Sequence, residues 1–184
     1  MNLKLLKRNE IYKGRVFTII VDEVEYPSGN KSIREVAEHN GGSVILAVND
    51  AREIIIIRQL RYPIGTFIWE LPAGKLNHGE DPLDCAKREL AEETGYLADL
   101  WIKLTSIYTT PGFCNELLHV YLAGGLSLRT EGRALEEGEL TMTMKVVPLE
   151  EAIRMIEKRE IVDGKSICGI LLGERKLRDN GLNV

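Results

Sequence analysis

The amino-acid sequence predicts a mixed β-sheet flanked by helices, in the α/β or α+β sense, on three observations. Apolar, β-branched runs recur along the chain, one helix with both ends marked lies among them, and two helical patterns close the chain. In order, residues 15–39, "RVFTIIVDEVEYPSGNKSIREVAEH", place β-rich runs on either side of the turn signal "PSGN" and read as an antiparallel hairpin. "SVILAVND" and "EIIIIRQLRY" follow as strands, and the unbroken run Ile54 to Ile57 suggests a central one. "FIWEL" is a short strand ending at Pro72. In the helix that follows, Asp81 can act as N-cap, Pro82 suits the first turn, and Gly95 suits the C-terminal cap. Leu83, Ala86 and Leu90 form its apolar stripe, with Glu89, Glu92 and Glu93 on another face. "WIKLTSIYTT", "LLHVYLAGGL" and "LTMTMKVVPL" read as strands, and "LEEAIRMIEKRE" and "KSICGILLGERKLRD" as the closing helices. Periodicity leaves the strand order open.

The 184 residues suffice for one domain with a substantial core and a small extension, and the 44% apolar and 28% charged composition is that of a globular protein. A net charge of -4 leaves no large basic patch for nucleic acid or an acidic membrane surface. Cys85, Cys114 and Cys168 are widely spaced and fit reduced thiols better than disulfides or a zinc site. His39, His78 and His119 show no ligand spacing among themselves. The start "MNLKLLKRNEIYKG" lacks the apolar run of a signal peptide, and no 18 consecutive apolar residues occur, so a cytoplasmic protein is expected.

Negative charge is concentrated in one place. Between Glu80 and Glu93 stand six carboxylates against Lys87 and Arg88. Glu89 and Glu93 are four apart on a helix, a spacing at which like charges repel by a few tenths of a kcal/mol. Solvated Glu-rich faces are common, but here Arg88 can pair only with Glu92 at i, i+4, leaving Glu89 and Glu93 without a cation at helical spacing. Three carboxylates converging at i, i+3 and i+4 suit a hard divalent cation such as Mg²⁺ or Mn²⁺, which accepts phosphate oxygens as further ligands. The chemistry suggested is metal-assisted attack of water on a phosphate.

The stretch from Gly74 to Tyr96 resembles the Nudix box: Gly74, five residues, Glu80, seven residues, then "RELAEETGY". The resemblance implies an α/β/α sandwich with a mixed sheet over residues 41–184, with the box as loop, helix and loop. It implies hydrolysis of a nucleoside diphosphate linked to another moiety, using two to three Mg²⁺ or Mn²⁺ ions. Glu89 and Glu93 would be metal ligands, Glu92 a further ligand or a water-positioning group, and the carbonyl of Ala73 another ligand. Arg88 and Glu80 would hold the loop and orient the ligands.

Features outside the box resemble the ADP-ribose pyrophosphatase group. Pro111 of "TTPGFCNE" lies sixteen residues after Gly95, with Gly112 and Glu116 at positions of substrate contact. "WELPAGK" is typical of the same group, and Arg61 of "RQLRYPIG" would grip the diphosphate. "ALEEGELTMTM" would supply the general base, with Glu137 preferred over Glu136 and Glu139, and Glu139 serving as a late metal ligand. Residues 1–40 would form a small β extension exchanged with the partner of a homodimer. Val16 and Phe17 would then meet the base, with Arg34, Glu35 and His39 around the purine and ribose. ADP-ribose, cleaved to AMP and ribose 5-phosphate, is the expected substrate. The alternatives are ADP-glucose, GDP-mannose, FAD or NADH, or a domain that binds nucleotide without cleaving it.

Overall fold

A computed structural model describes residues 3–180. These divide into two compact units.

The first unit combines the chain up to Gly41 with Tyr108–Leu117. Its sheet has the order β1-β2-β3, all antiparallel, from β1 (Lys4–Lys13), β2 (Thr18–Glu25) and β3 (Lys31–Glu38). The hairpin expected at residues 15–39 is β2 and β3, with Glu25 opposite Lys31; Gly29, at φ 84°, supplies the left-handed residue of its turn. β1 lies within the β extension expected over residues 1–40, but its own residues carry no strand pattern. Its residues are almost all exposed and its polar and apolar positions do not alternate, so pairing with β2, not patterning, defines it. Residues 108–117 join this unit through a parallel bridge between Ala37 and Cys114 and a hydrogen bond from the Ala37 amide to the Phe113 carbonyl.

The second unit contains Gly42–Ile107 and the chain from Leu118. Its four-stranded sheet has the order β7-β4-β9-β8, built from β4 (Gly42–Ala47), β7 (Ala73–Lys75), β8 (Tyr96–Tyr108) and β9 (Leu117–Leu128). β4 runs parallel to β9 and antiparallel to β7, which makes the sheet mixed. A second sheet, β10-β5-β6, is antiparallel and comprises β5 (Glu53–Arg61), β6 (Thr66–Glu70) and β10 (Thr143–Pro148). β4 is buried along its whole length because both of its faces are covered. Val44 and Leu46 pack with Ile54 and Ile56 against helices α2 (Leu149–Glu157) and α3 (Gly164–Asn180). Ile45 and Ala47 pack with Ile55 against Ala86 and Leu90 of α1 (Pro82–Thr94). The result is a sheet between helices, as expected.

Candidate active site

Helix α1 begins and ends where its caps require. The Asp81 carboxylate accepts the Leu83 amide at 2.8 Å, and Gly95 closes the other end at φ 74° with its amide on the Ala91 carbonyl. Ser43 of β4 donates its hydroxyl to the Pro82 carbonyl at 2.6 Å, tying the first turn to the sheet. Cys85, Ala86 and Leu90 are buried in the face against the sheet.

Two of the acidic residues of α1, Glu89 and Glu93, do not lie on a solvated face. Glu89 is 8% exposed and Glu93 only 2%. Burial pushes the Glu93 carboxyl well above the usual carboxylate range, and the nearby Glu89 and Glu139 push in the same direction. Glu89 is raised too, by burial first, against the opposing pull of Arg88. Glu139 belongs to a single 3₁₀ turn, Glu137–Glu139, and its charge acts on both helix carboxylates. Glu137 is exposed on the same turn, and Glu136 caps it by giving its amide to Glu139 at 3.0 Å.

Arg88 ties the loop before the helix to the helix itself. Its Nε and Nη2 hold both oxygens of Glu80 at 2.8 and 3.0 Å, and Nη2 also donates to the Lys75 carbonyl at 3.1 Å. Glu80 in turn accepts the Asn77 amide at 2.8 Å, and Arg88 holds its carboxyl below the usual range. Nη1 of Arg88 lies on Glu92 at 3.1 Å, as helical spacing predicts, and on Glu89 at 2.6 Å. That second contact comes from the adjacent residue in the chain, not from a cation at helical spacing. A Cβ on Gly74 would overlap the Glu89 carboxylate, so the absence of a side chain here leaves that carboxylate its place. Cys85 lies beside the Gly74 and Lys75 carbonyls, and burial pushes its thiol up to about 11, leaving it unreactive.

Glu93 accepts the Ala73 amide at 2.9 Å, which brings the residue just before the box against the helix. Among the described residues no three acidic, His or Cys side chains surround one point at ligand distance. Glu89 is engaged with Arg88, Glu93 with Ala73, and Glu139 with Glu136. The donor set nonetheless fits a hard divalent cation. It is all oxygen, and neighbouring carboxylates raise both buried ones, Glu92 and Glu139 acting on Glu89, and Glu89 and Glu139 on Glu93, a repulsion that such an ion relieves.

Arg61, at the end of β5, meets Glu70 at the end of β6 side-on. Nε and Nη2 reach the two carboxylate oxygens at 2.6 and 2.5 Å, and Lys165 of α3 shares Glu70. Arg61 also acts electrostatically on Glu93, so strand and acidic helix share one field. Sequence reasoning missed Arg133, whose Nε donates to the Glu93 carbonyl at 2.6 Å and whose Nη1 donates to the Met142 carbonyl at 3.3 Å. With the Ala134 amide on the Glu92 carbonyl, it pins the segment bearing Glu136, Glu137 and Glu139 to the end of α1. Its partners are backbone carbonyls, which leave no spacing signal.

In the first unit a cavity of about 520 Å³ is lined by Val16, Phe17, Glu35 and His39, four residues expected around the nucleoside, and by Glu116, expected to contact substrate. Phe113 and Thr110 also line it. The His39 ring accepts the Gly41 amide at Nδ1, 2.9 Å, and lies 3.3 Å from Glu116. The same nitrogen cannot serve both partners at once, accepting from the amide only when it carries no proton. Arg34 turns instead to Tyr26 and to Ser32, 3.0 Å from its hydroxyl, and Pro111 and Gly112 are exposed in the turn from Thr110 to Cys114.

A sheet between helices, with a loop–helix–loop presenting buried carboxylates, is the architecture of a metal-assisted phosphoanhydride hydrolase. Residues 39–168 match the NUDIX domain, and the chain belongs to that family. It is 44% identical to an ADP-ribose pyrophosphatase of Bacillus subtilis over 91% of this chain and 90% of the relative. It is 39% identical to an ADP-ribose pyrophosphatase of Mycobacterium tuberculosis over 92% of this chain and 82% of the relative. A solved structure described as an ADP compounds hydrolase shares the fold, with a TM-score of 0.84 at 20% identity, covering 98% of this chain and 97% of its own. Among the described residues no helix is long and apolar enough to cross a membrane.

Proposed function

We propose that this Nudix hydrolase cleaves the diphosphate of ADP-ribose, releasing AMP and ribose 5-phosphate. The observation that carries the reading is the pair Glu89 and Glu93, both buried within a complete box, with burial raising both carboxyls and the charge of Glu89 raising Glu93 further. The two ADP-ribose pyrophosphatases similar over most of the chain support this substrate.

Members of the family generally use divalent metal ions. Glu89, Glu92, Glu93, Glu139 and the Ala73 carbonyl would hold two to three Mg²⁺ or Mn²⁺ ions. When bound, these ions neutralise charge on the phosphoryl oxygens and lower the pKa of water. Glu137 takes a proton from the attacking water, whose oxygen bonds to one phosphorus as the bond from that phosphorus to the bridging oxygen breaks. Arg61 offers its unused guanidinium edge to the diphosphate. Arg88 and Glu80 keep the loop closed on the helix. Phe17 and Val16 receive the base, with Arg34, Glu35, His39, Pro111, Gly112 and Glu116 contributing to the nucleoside and sugar sites. The protein acts as a homodimer on a small nucleoside diphosphate sugar, in the cytoplasm, where its three free cysteines stay reduced.

A second reading, the same chemistry on another nucleotide sugar, is favoured by a GDP-mannose pyrophosphatase of Cronobacter sakazakii, 32% identical over 79% of this chain. The deciding experiment is product release from ADP-ribose with Mg²⁺ and with Mn²⁺, beside ADP-glucose, GDP-mannose, NADH and FAD. AMP appearing fastest from ADP-ribose is the expected result. A faster GDP-mannose reaction selects the second reading, and no cleavage of any substrate overturns both.

A further inference from the structure

Glu70 has more positive charge on it than a buried carboxylate needs. It is 1% exposed, and the side-on fork of Arg61 already satisfies both of its oxygens. Lys165 nevertheless brings a second cation to Oε2 from the first turn of α3, with its side chain only 13% exposed.

The first turn of α3 is itself fixed. Asp163 accepts the Ser166 amide at 3.1 Å and the Ser166 hydroxyl at 2.5 Å, and pairs with Lys165 at 2.8 Å. Ser166, fully buried, accepts the Leu71 amide at 2.7 Å, one residue beyond Glu70. Both the side chain of Glu70 and the backbone after it are therefore anchored to α3, ninety-five residues away in sequence.

Arg61 is the member of this set with donors to spare. Among the described residues its guanidinium donates only to Glu70, through Nε and Nη2, and its side chain is 40% exposed. A guanidinium has five N–H groups, and a side-on pair uses two of them, leaving the Nη1–Nη2 edge for a bidentate anion.

We propose that Lys165, held by Asp163 and Ser166, is a positioning residue for diphosphate binding: it fixes Glu70, and Glu70 fixes Arg61 with its free edge presented to the substrate. The inference rests on the proposed activity for its choice of ligand. Lys165 also offsets part of Glu70's charge, so that Arg61 is not simply neutralised by its buried partner. Lys165 itself touches no substrate.

The test is a double-mutant cycle on ADP affinity, measured by calorimetry with Mg²⁺, using Lys165→Met, Arg61→Lys and the double variant. Steady-state kinetics on whichever nucleotide substrate the wild type cleaves accompany it. Lys165→Met is expected to weaken ADP binding and raise KM by about tenfold, the loss of one charged hydrogen-bonding arrangement, with a smaller change in kcat. The double variant should bind no more weakly than Arg61→Lys alone, because both changes remove the same contact. Lys165→Arg should recover most of the affinity. Losses that multiply in the double variant, or an ADP affinity unmoved by Lys165→Met, overturn the proposal. Thermal melting checks each fold; if Lys165→Met does not fold, Asp163→Asn, which removes the charge anchoring Lys165, replaces it in the cycle with the same expected and overturning results. A wild type that binds ADP without cleaving ADP-ribose overturns the activity and leaves this cycle to decide the positioning role. A wild type that does not bind ADP overturns the positioning role as well.

Discussion

Glu93 keeps a carboxylate where water hardly reaches, next to the like charge of Glu89 and with the Ala73 amide as its partner. Its folded pKa lies well above the ordinary 4.5, so the folded chain binds this proton more tightly than the unfolded chain. Stability from this group is therefore full below 4.5 and is lost as the pH rises through the raised value. Glu93→Gln removes that loss. Thermal melts of the metal-free protein in a chelator, from pH 5 to 8, should show the variant gaining stability over wild type as the pH rises. The same variant should lose turnover by orders of magnitude. Near-normal turnover rules out the ligand role, and a parallel pH dependence rules out the electrostatic account. Glu137→Gln belongs to the same scale but differs in kind. It is exposed, so melting should hardly move, while kcat should fall by about 10²- to 10⁴-fold, the usual contribution of a general base. If Glu139→Gln causes the larger fall in kcat and Glu137→Gln a small one, the two roles are reversed.

At the scale of elements, α1 and the loop before it act as one piece, because Arg88 joins Glu80, the Lys75 carbonyl, Glu89 and Glu92. Gly74 lies where that piece meets β4, opposite Ser43. Gly74→Ala would push a methyl group into the Glu89 carboxylate, an overpacking cost of about 1–3 kcal/mol. The expected outcome is a lower Tm together with lost turnover; unchanged activity would show that Glu89 need not occupy its observed place. Asp81→Ala should cost about 1 kcal/mol through the lost cap and leave kcat nearly unchanged, since it touches only the first turn. This element was legible in the sequence because its signals are local: a cap, a proline, a glycine, and acids at fixed spacing. β1 and the three-residue β7 were not legible, because "KLLKRNEIYK" has no alternation and "AGK" no strand preference. Pairing with a neighbouring strand decided both. The same holds for side chains. Arg61 was noticed, but its partner Glu70 and the distant Lys165 were not, since no spacing rule links strand ends to a helix ninety-five residues on.

At the scale of the whole molecule, the first unit has little core of its own and much apolar surface. Among its described residues only Ile20 and Val24 of the large apolar side chains are buried, while Leu5, Ile11, Tyr12 and Ile33 are each more than half exposed. A three-stranded sheet with so thin a core is marginal alone, and exposed apolar surface of this kind marks an interface. A second copy of the chain is the proposed partner, which gives the last prediction its form. Light scattering after gel filtration should give twice the 20.7 kDa mass of one chain. Leu5→Lys combined with Ile11→Lys places two cations on the exposed face of β1 and should shift the protein to the single-chain mass. Both side chains are already in water in the isolated chain, so the α1 carboxylates and their neighbours should be undisturbed. Kinetics on the monomeric variant then separate two cases. If each copy binds its nucleoside with its own residues, KM stays near the wild-type value. If the partner completes the nucleoside site, KM rises sharply while the melting of the second unit is unchanged. A wild type that elutes at the single-chain mass at micromolar concentration removes the dimer, and the cavity beside Phe17 and Phe113 must then serve the base unaided.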